Sequence, residues 1–161
     1  MTTNNQGVGT RELALMILLE IERGEKSHIV LRQVLEKYQY LSKQDRAFLT
    51  RLAEGTTERR IELDYIINQF SKVKTEKMKP VIRNILRIGG YQILFMDKIP
   101  HRAAVNEAVE MCRRNGRPRA AGMVNAVLRK FVTNWMNMPE IRCGGTAEYL
   151  SIRYSHPLWL G

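Results

Sequence analysis

The sequence has little of what most enzyme, metal-binding and membrane proteins need. Its two cysteines, Cys112 and Cys143, fit neither a metal-ligand spacing nor a disulfide framework. Its 3 histidines lie in separate segments, without carboxylate or cysteine partners at the spacing of metal ligands. The chain has no apolar run of about 18 residues or more, as a membrane span needs. These absences predict a reduced, cytoplasmic protein with no metal site, no membrane partner and no catalytic residue of its own.

The sequence also has no segment of strand length in which apolar and polar residues alternate. Its apolar residues recur instead at the three- and four-residue spacing of helices. Residues 80–97 are apolar almost all round, which predicts a buried central helix. Gly89 and Gly90 in its middle indicate either close approach of a neighbouring backbone or a kink. Other helices are predicted to start at the possible capping residues Thr10, Ser27 and Ser42. The fold class is therefore all-α, with about seven helices, and residues 43–70 form either one bent helix or two.

The chain divides into three parts by composition. Residues 1–9 are polar and are predicted to be a disordered lead-in. Residues 10–137 carry the helical pattern and form the predicted domain, whose residues 72–79 are a charged linker. Residues 138–161 contain few consecutive helix formers and end on an apolar Leu-Trp-Leu, which is typical of a linker or the start of a missing domain.

Positive charge is abundant and unevenly placed. The net charge is +10, and residues 71–130 alone hold 14 basic against 4 acidic residues, while the remainder balances. This asymmetry predicts a polyanionic partner, with nucleic acid ahead of anionic lipid, although a merely soluble basic surface is the alternative. Few aromatic residues lie among the basic ones, which favours contact with phosphates over base stacking.

The densest basic cluster lies between the last two predicted helices, where Gly116 and Pro118 break the pattern. Cations suit the end of one helix, and the free N–H groups at the start of the next suit a phosphate. Arginine is also well shaped for phosphate contact. The predicted binding residues are Arg113, Arg114, Arg117 and Arg119, extended by Arg129, Lys130, Arg59, Arg60, Arg83 and Arg87.

Three polar residues interrupt the apolar runs of these last two helices, namely Asn106, Glu107 and Asn125. We interpret them as a structural hydrogen-bond network that bridges the two helices, with contact to a ligand as the alternative. Cys112 falls on the apolar face of its helix and is predicted to be a buried structural thiol.

Several short motifs follow one another in a characteristic order. They are Asp-Arg-Ala-Phe at 45–48, Gly-Thr at 55–56, Leu-Arg-Ile-Gly at 86–89, Tyr-Gln-Ile-Leu at 91–94, Ile-Pro at 99–100, Ala-Val-Asn-Glu-Ala-Val at 104–109 and Val-Asn-Ala-Val-Leu-Arg at 124–129. Over roughly residues 10–137 the chain resembles the NusB-like all-helical RNA-binding domain. Two kinds of protein carry that domain: the free-standing NusB antitermination factors and the Sun/Fmu (RsmB) 16S rRNA cytosine methyltransferases.

The complete Leu-Arg-Ile-Gly-Gly-Tyr-Gln-Ile-Leu string and the tail at 154–160 are more similar to the methyltransferases. The resemblance implies an RNA-binding, substrate-recognition N-terminal domain of a 16S rRNA 5-methylcytosine methyltransferase, without its catalytic domain. The partners implied are 16S rRNA and that missing domain, and S-adenosyl-L-methionine is implied for the full-length parent. The family's catalytic cysteines stand in Pro-Cys and Thr-Cys contexts, which neither Cys112 nor Cys143 matches, so this fragment is expected to be inert.

Two other interpretations stay open at this stage. The first is a stand-alone antitermination adaptor that binds RNA and a ribosomal protein. Adaptors of this kind use their early helices for RNA, which adds Arg11 to Arg59 and Arg60 as a competing N-terminal face. The second is a helical module that binds only proteins.

Overall fold

Seven α-helices make up the part of the chain that the structure, a computed structural model, describes, which is residues 9–134. The helices are α1 (Thr10–Glu22), α2 (Ser27–Lys37), α3 (Lys43–Glu58), α4 (Arg60–Phe70), α5 (Pro80–Phe95), α6 (His101–Arg114) and α7 (Ala121–Asn134). Residues 9–134 contain no strand, so the predicted all-α class and helix number are confirmed. Of the predicted lead-in only Gly9 is described, and the predicted tail, residues 138–161, lies outside the described residues.

The central position of α5 is confirmed. Residues 84–94 are all buried, and α5 packs against α1, α3, α4, α6 and α7. A Cβ atom on Gly89 would lie 2.6 Å from Leu128 Cδ1, and one on Gly90 would lie 2.8 Å from Phe131 Cε2. The two glycines therefore allow a close approach, as predicted, but by side chains of α7 instead of a backbone. The helix continues through both of them.

The helix starts agree only in part with the predicted caps. Ser42 is the N-cap of α3, and its Oγ accepts a hydrogen bond from Asp45 N at 3.0 Å. The caps predicted at Thr10 and Ser27 are wrong, because both are the first helical residues and the extended residue before each one takes the cap position. A cap must have non-helical backbone angles, which these two residues do not have.

Residues 43–70 form two helices, which decides between the two alternatives. The break is at Arg59, between α3 and α4. Gly55 neither ends nor divides α3; it packs against the Tyr91 ring of α5 so closely that a Cβ atom would collide with the phenol group. Gly55 therefore allows α3 and α5 to pack closely and does not end a helix.

A partly buried ionic network joins α1 and α4 to α5. The Glu22 carboxylate accepts hydrogen bonds from Arg83 at 2.7 and 2.9 Å, from Asn84 at 2.8 Å and from Arg87 at 2.9 Å. Arg87 also donates to both oxygens of Asp64, at 2.7 and 2.8 Å. The prediction that Arg83 and Arg87 extend the basic surface is therefore wrong. The positive charges of Arg83 and Arg87 are already paired with carboxylates that are distant in the sequence.

Candidate nucleic-acid interface

The turn between α6 and α7 has a fixed backbone. Gly116 takes a φ of 73°, in the left-handed region that favours glycine. Arg117 N donates to Cys112 O at 2.8 Å, and Gly116 N donates to Arg113 O at 3.3 Å. These two bonds are the Schellman pattern, which satisfies the last carbonyl groups of a helix. A short 3-10 turn, Pro118–Ala120, then leads into α7.

Three of the four arginines predicted at this turn are accessible to a ligand, and they differ in how much of the side chain is exposed. Arg113 and Arg119 are exposed, and Arg117 is half-buried. Arg113 pairs with Glu110 at 2.7 Å in the same helix, with both side chains about half exposed. An exposed pair of this kind contributes about 0.3–0.5 kcal/mol, so a phosphate can readily replace the carboxylate.

The fourth arginine, Arg114, holds two helices together. Its Nε donates to Glu12 Oε2 of α1 at 2.7 Å, and its Nη2 donates to Glu107 at 3.1 Å. Asn115 adds a bond to Glu12 Oε1 at 3.1 Å. Burial opposes the charged form of Arg114, but the hydrogen bonds to Glu12 and Glu107 prevail and raise its pKa. We therefore assign Arg114 mainly to the joint between α6 and α1.

Arg11, the residue before Glu12 in α1, contacts α5 and α3. Its Nε donates to Gln92 Oε1 of α5 at 2.8 Å, and its guanidinium lies 5.3 Å from the centre of the Phe48 ring. Burial lowers the pKa of Arg11, and the charge of Glu107 acts in the opposite direction. Because Arg114 of α6 bonds to Glu12, the residue that follows Arg11, the start of α1 and the end of α6 lie side by side.

The last turn of α5 adds an aromatic residue, Phe95, that two arginines contact. The guanidinium of Arg59 lies 4.8 Å from the centre of the Phe95 ring, and Arg51 Nη2 donates to Phe95 O at 2.6 Å. Phe95 follows Gln92 by one helical turn, so this group lies beside the Arg11 contact. We name the combined region the α5-end surface; its residues are Arg11, Arg51, Arg59, Phe95, Arg113, Arg114, Arg117 and Arg119.

Arg51 and Phe95 were missed by the sequence analysis. Arg51, Gly55 and Arg59 recur every four residues, which places them on one face of α3. That spacing could have identified Arg51. Phe95 could not be found from spacing, because its role depends on the packing of α3 against α5.

The remaining basic residues of the prediction lie elsewhere. Arg60, Arg129 and Lys130 are exposed on α4 and α7. Arg129 Nε donates to Asn125 Oδ1 at 3.1 Å, within its own helix.

The predicted polar network between α6 and α7 takes another form. Asn106 is exposed, because it shares a face of α6 with the exposed Arg102 and Glu110 at four-residue spacing. Its prediction as a buried structural amide is wrong. Glu107 bonds to Arg114, and Asn125 accepts only from Arg129 in the hydrogen bonds of residues 9–134. The polar contacts of α6 therefore join it to α1 in place of α7.

Other kinds of site find little support in the described part of the chain. Cys112 is buried as predicted, and burial raises the pKa of its thiol. In residues 9–134 no three His, Cys, Asp or Glu side chains are grouped so that they could hold a metal ion. None of the described helices combines the length and the apolar character that crossing a membrane requires.

Comparisons with a family model and with individual proteins identify the same family. A model of the NusB family matches residues 9–133. The chain is 36% identical over 152 residues to the probable ribosomal RNA small subunit methyltransferase B of Bacillus subtilis, covering 93% of this chain and 33% of that protein. It is 33% identical over 135 residues to the transcription antitermination protein NusB of Dictyoglomus thermophilum, covering 83% of this chain and 89% of that protein.

A solved structure with the same fold is that of the antitermination factors NusB and NusE in complex with dsRNA. The match has a TM-score of 0.71 at 22% sequence identity, over 78% of this chain and 94% of that one. At this sequence identity the match shows that the two chains share a fold, and nothing more. The chain spans about a third of the length of its methyltransferase relatives and nearly the full length of the antitermination protein.

Proposed function

This chain belongs to the NusB family, and we propose that it is the RNA-binding, substrate-recognition N-terminal domain of a 16S rRNA 5-methylcytosine methyltransferase. One observation favours a methyltransferase over a free-standing adaptor. The match to the Bacillus subtilis methyltransferase covers 93% of the chain, so it necessarily extends beyond residue 133, where the family model ends. The shared region therefore includes part of the tail, which a free-standing domain does not need.

The α5-end surface supports the RNA-binding part of the proposal. Arg113, Arg117 and Arg119 lie on a turn whose backbone is fixed by the Schellman bonds. Guanidinium groups bind phosphate oxygens in pairs, and a fixed turn reduces the entropy lost when they do so. Arg59, whose guanidinium lies against the Phe95 ring, and Arg51, which donates to the Phe95 carbonyl, add a second group of cations to the same surface. Contacts of this kind recognise the arrangement of phosphates, so a preference for one RNA would come from its shape and not from its base sequence.

No chemical step is assigned to this chain. S-adenosyl-L-methionine would bind the catalytic domain of the proposed parent, where it supplies the methyl group. The described residues do not fit that cofactor, because residues 9–134 lack a strand followed by a glycine-rich loop. The buried thiol of Cys112, with its raised pKa, is also unsuited to nucleophilic attack.

Binding to RNA transcripts tests the proposal. The 161-residue chain would be titrated against unmodified 16S rRNA, with an equal mass of 23S rRNA as the matched competitor. Preferential binding to 16S rRNA supports the proposal, and equal binding to the two would refute the assignment of substrate. Labelled S-adenosylmethionine added to the same mixture should transfer no methyl group above a control without protein.

A stand-alone antitermination adaptor is the second candidate. The match covers 89% of the Dictyoglomus thermophilum protein, so this chain spans most of the length of a free-standing relative. Two observations separate the candidates. The reading frame after Gly161 should continue into a methyltransferase domain in the first case and stop in the second. Tight association with the ribosomal protein that the adaptors bind would favour the second.

A further inference from the structure

Four exposed lysines lie on the connection between α4 and α5. They are Lys72, Lys74, Lys77 and Lys79, and Glu76 is the one acidic residue among residues 72–79. We name these eight residues the lysine segment. The sequence predicted only a charged linker here, but the structure contains a short 3-10 turn, Thr75–Lys77, in the middle of it.

Side chains at the end of α4 fix the backbone of the lysine segment. Thr75 N donates to Asn68 Oδ1 at 2.9 Å, and Val73 N donates to Ser71 Oγ at 3.2 Å. Ser71 Oγ in turn donates to Val73 O at 2.7 Å. Each of these bonds holds a main-chain group between two exposed lysines, so the positions from which the lysines extend are set.

The core and the ionic network hold the segment from the other side. Thr75 and Met78 are buried, and Arg83 Nη1 donates to Thr75 O at 3.3 Å and to Met78 O at 2.9 Å. The same arginine is held by Glu22 of α1 at 2.7 Å. The lysine segment is therefore part of the folded domain, not a free linker.

The charges of the lysine segment are not compensated. Within residues 9–134, none of its four ammonium groups forms an ion pair, whereas Arg113 and Arg114 of the α5-end surface both pair with carboxylates. Lys74 has a single long contact, 3.5 Å from Nζ to Asn68 O. These four cations are therefore free to bind an anion, although none of them is among the binding residues predicted from the sequence.

We propose that the lysine segment is a second phosphate-binding surface for RNA, an inference that rests on the proposed function. Lysine binds phosphate as a point charge, so this surface would add affinity without base specificity. It lies at the start of α5, whereas Arg11 contacts Gln92 near the other end. Pro80 and Gln92 are separated by 12 residues, or about 18 Å of helix. One RNA that contacts both surfaces would therefore span at least about this distance on the surface of the domain.

The test is the salt dependence of RNA binding by a variant with Lys72, Lys74, Lys77 and Lys79 all changed to glutamine. Each lost phosphate contact lowers the slope of log affinity against log salt by about 0.7–0.9, so we expect a reduction of about 3. The matched control loses four exposed charges around α2, by substitution of Lys26, Arg32, Lys37 and Lys43 with glutamine. Its slope should stay near that of the parent chain.

Separate outcomes identify which idea fails. If the parent chain does not bind 16S rRNA, the proposed function and this inference both fail. If the parent binds and the fourfold variant has the slope of the α2 control, the inference is overturned and the proposed function stands. Circular dichroism checks the fold, and should the fourfold variant unfold, the four single substitutions replace it, each with its own expected loss of slope. Lysine-dependent binding to phosphatidylserine vesicles with an unchanged RNA slope would also overturn the inference.

Discussion

Replacement of Glu22 by glutamine tests how α1 is held against α5. The Glu22 carboxylate lies between two guanidinium groups, those of Arg83 and Arg87, and also accepts from Asn84. Glutamine keeps the shape of the side chain but exchanges one acceptor oxygen for an amide NH2 group, a donor that faces these donors. It also removes the negative charge. We expect a less stable domain, in which Arg83 holds the lysine segment less firmly.

The size of the effect follows from the titration of this carboxyl group. Hydrogen bonds from Arg83 are the main reason that the pKa of Glu22 falls from 4.5 to about 2; burial opposes the shift, and Asn84 and the charges of Arg83 and Arg87 add to it. One pKa unit corresponds to about 1.36 kcal/mol, so the upper limit is about 3 kcal/mol at neutral pH. The side chain is 18% exposed, and solvent screening reduces the expected loss to about 2 kcal/mol.

The pH dependence gives the sharper test. The pKa is lower in the folded state, so the stability that Glu22 contributes is complete above pH 4.5 and is lost as the pH falls towards 2. The free energy of unfolding would be measured by urea denaturation, followed by circular dichroism. The difference between parent and E22Q should fall by more than half, about 60%, between pH 7 and pH 3.

The matched control is Glu54→Gln, an exposed position on α3. It should change the free energy of unfolding by less than about 0.5 kcal/mol at each pH. The reasoning is refuted if E22Q costs no more than this control. It is also refuted if the cost of E22Q is the same at both pH values, since the loss would then not come from the carboxylate charge.

Three further predictions concern packing and binding. Gly55→Ala should lower the free energy of unfolding by about 1–3 kcal/mol, because the new methyl group collides with Tyr91; Gly122→Ala, which meets no atom within 4 Å, should instead be neutral or stabilising by up to about 1 kcal/mol. Asn125→Ala should cost less than about 0.5 kcal/mol in thermal or urea unfolding, and a clearly larger cost would restore the buried-network hypothesis. Replacement of Arg113, Arg117 and Arg119 together by glutamine should weaken RNA binding, lower the slope of log affinity against log salt by about 2–3 and leave the helicity unchanged. Binding like that of the parent chain would exclude this turn from the site.

The fold was largely predictable because burial leaves a direct mark on the sequence. Residues 80–97 are apolar on nearly every side, and only a helix surrounded by others can bury such a surface. The short-range signals at Ser42 and Gly116 were also sufficient, since each depends on main-chain groups within a few residues. The break at Arg59 was not predictable, because nothing in its local sequence distinguishes a bent helix from two.

The sequence alone also located the excess charge and the turn that carries Arg113, Arg117 and Arg119. It could not tell which charges are free, because a carboxylate partner can be far away along the chain. Arg114 meets Glu12, 102 residues earlier, and Arg87 meets Asp64 and Glu22. Only the tertiary structure decided these pairings, since ion pairs form over a few ångströms of space whatever the distance in sequence. For the same reason the lysine segment, none of whose ammonium groups forms an ion pair within residues 9–134, became a candidate surface only once the helices were in place.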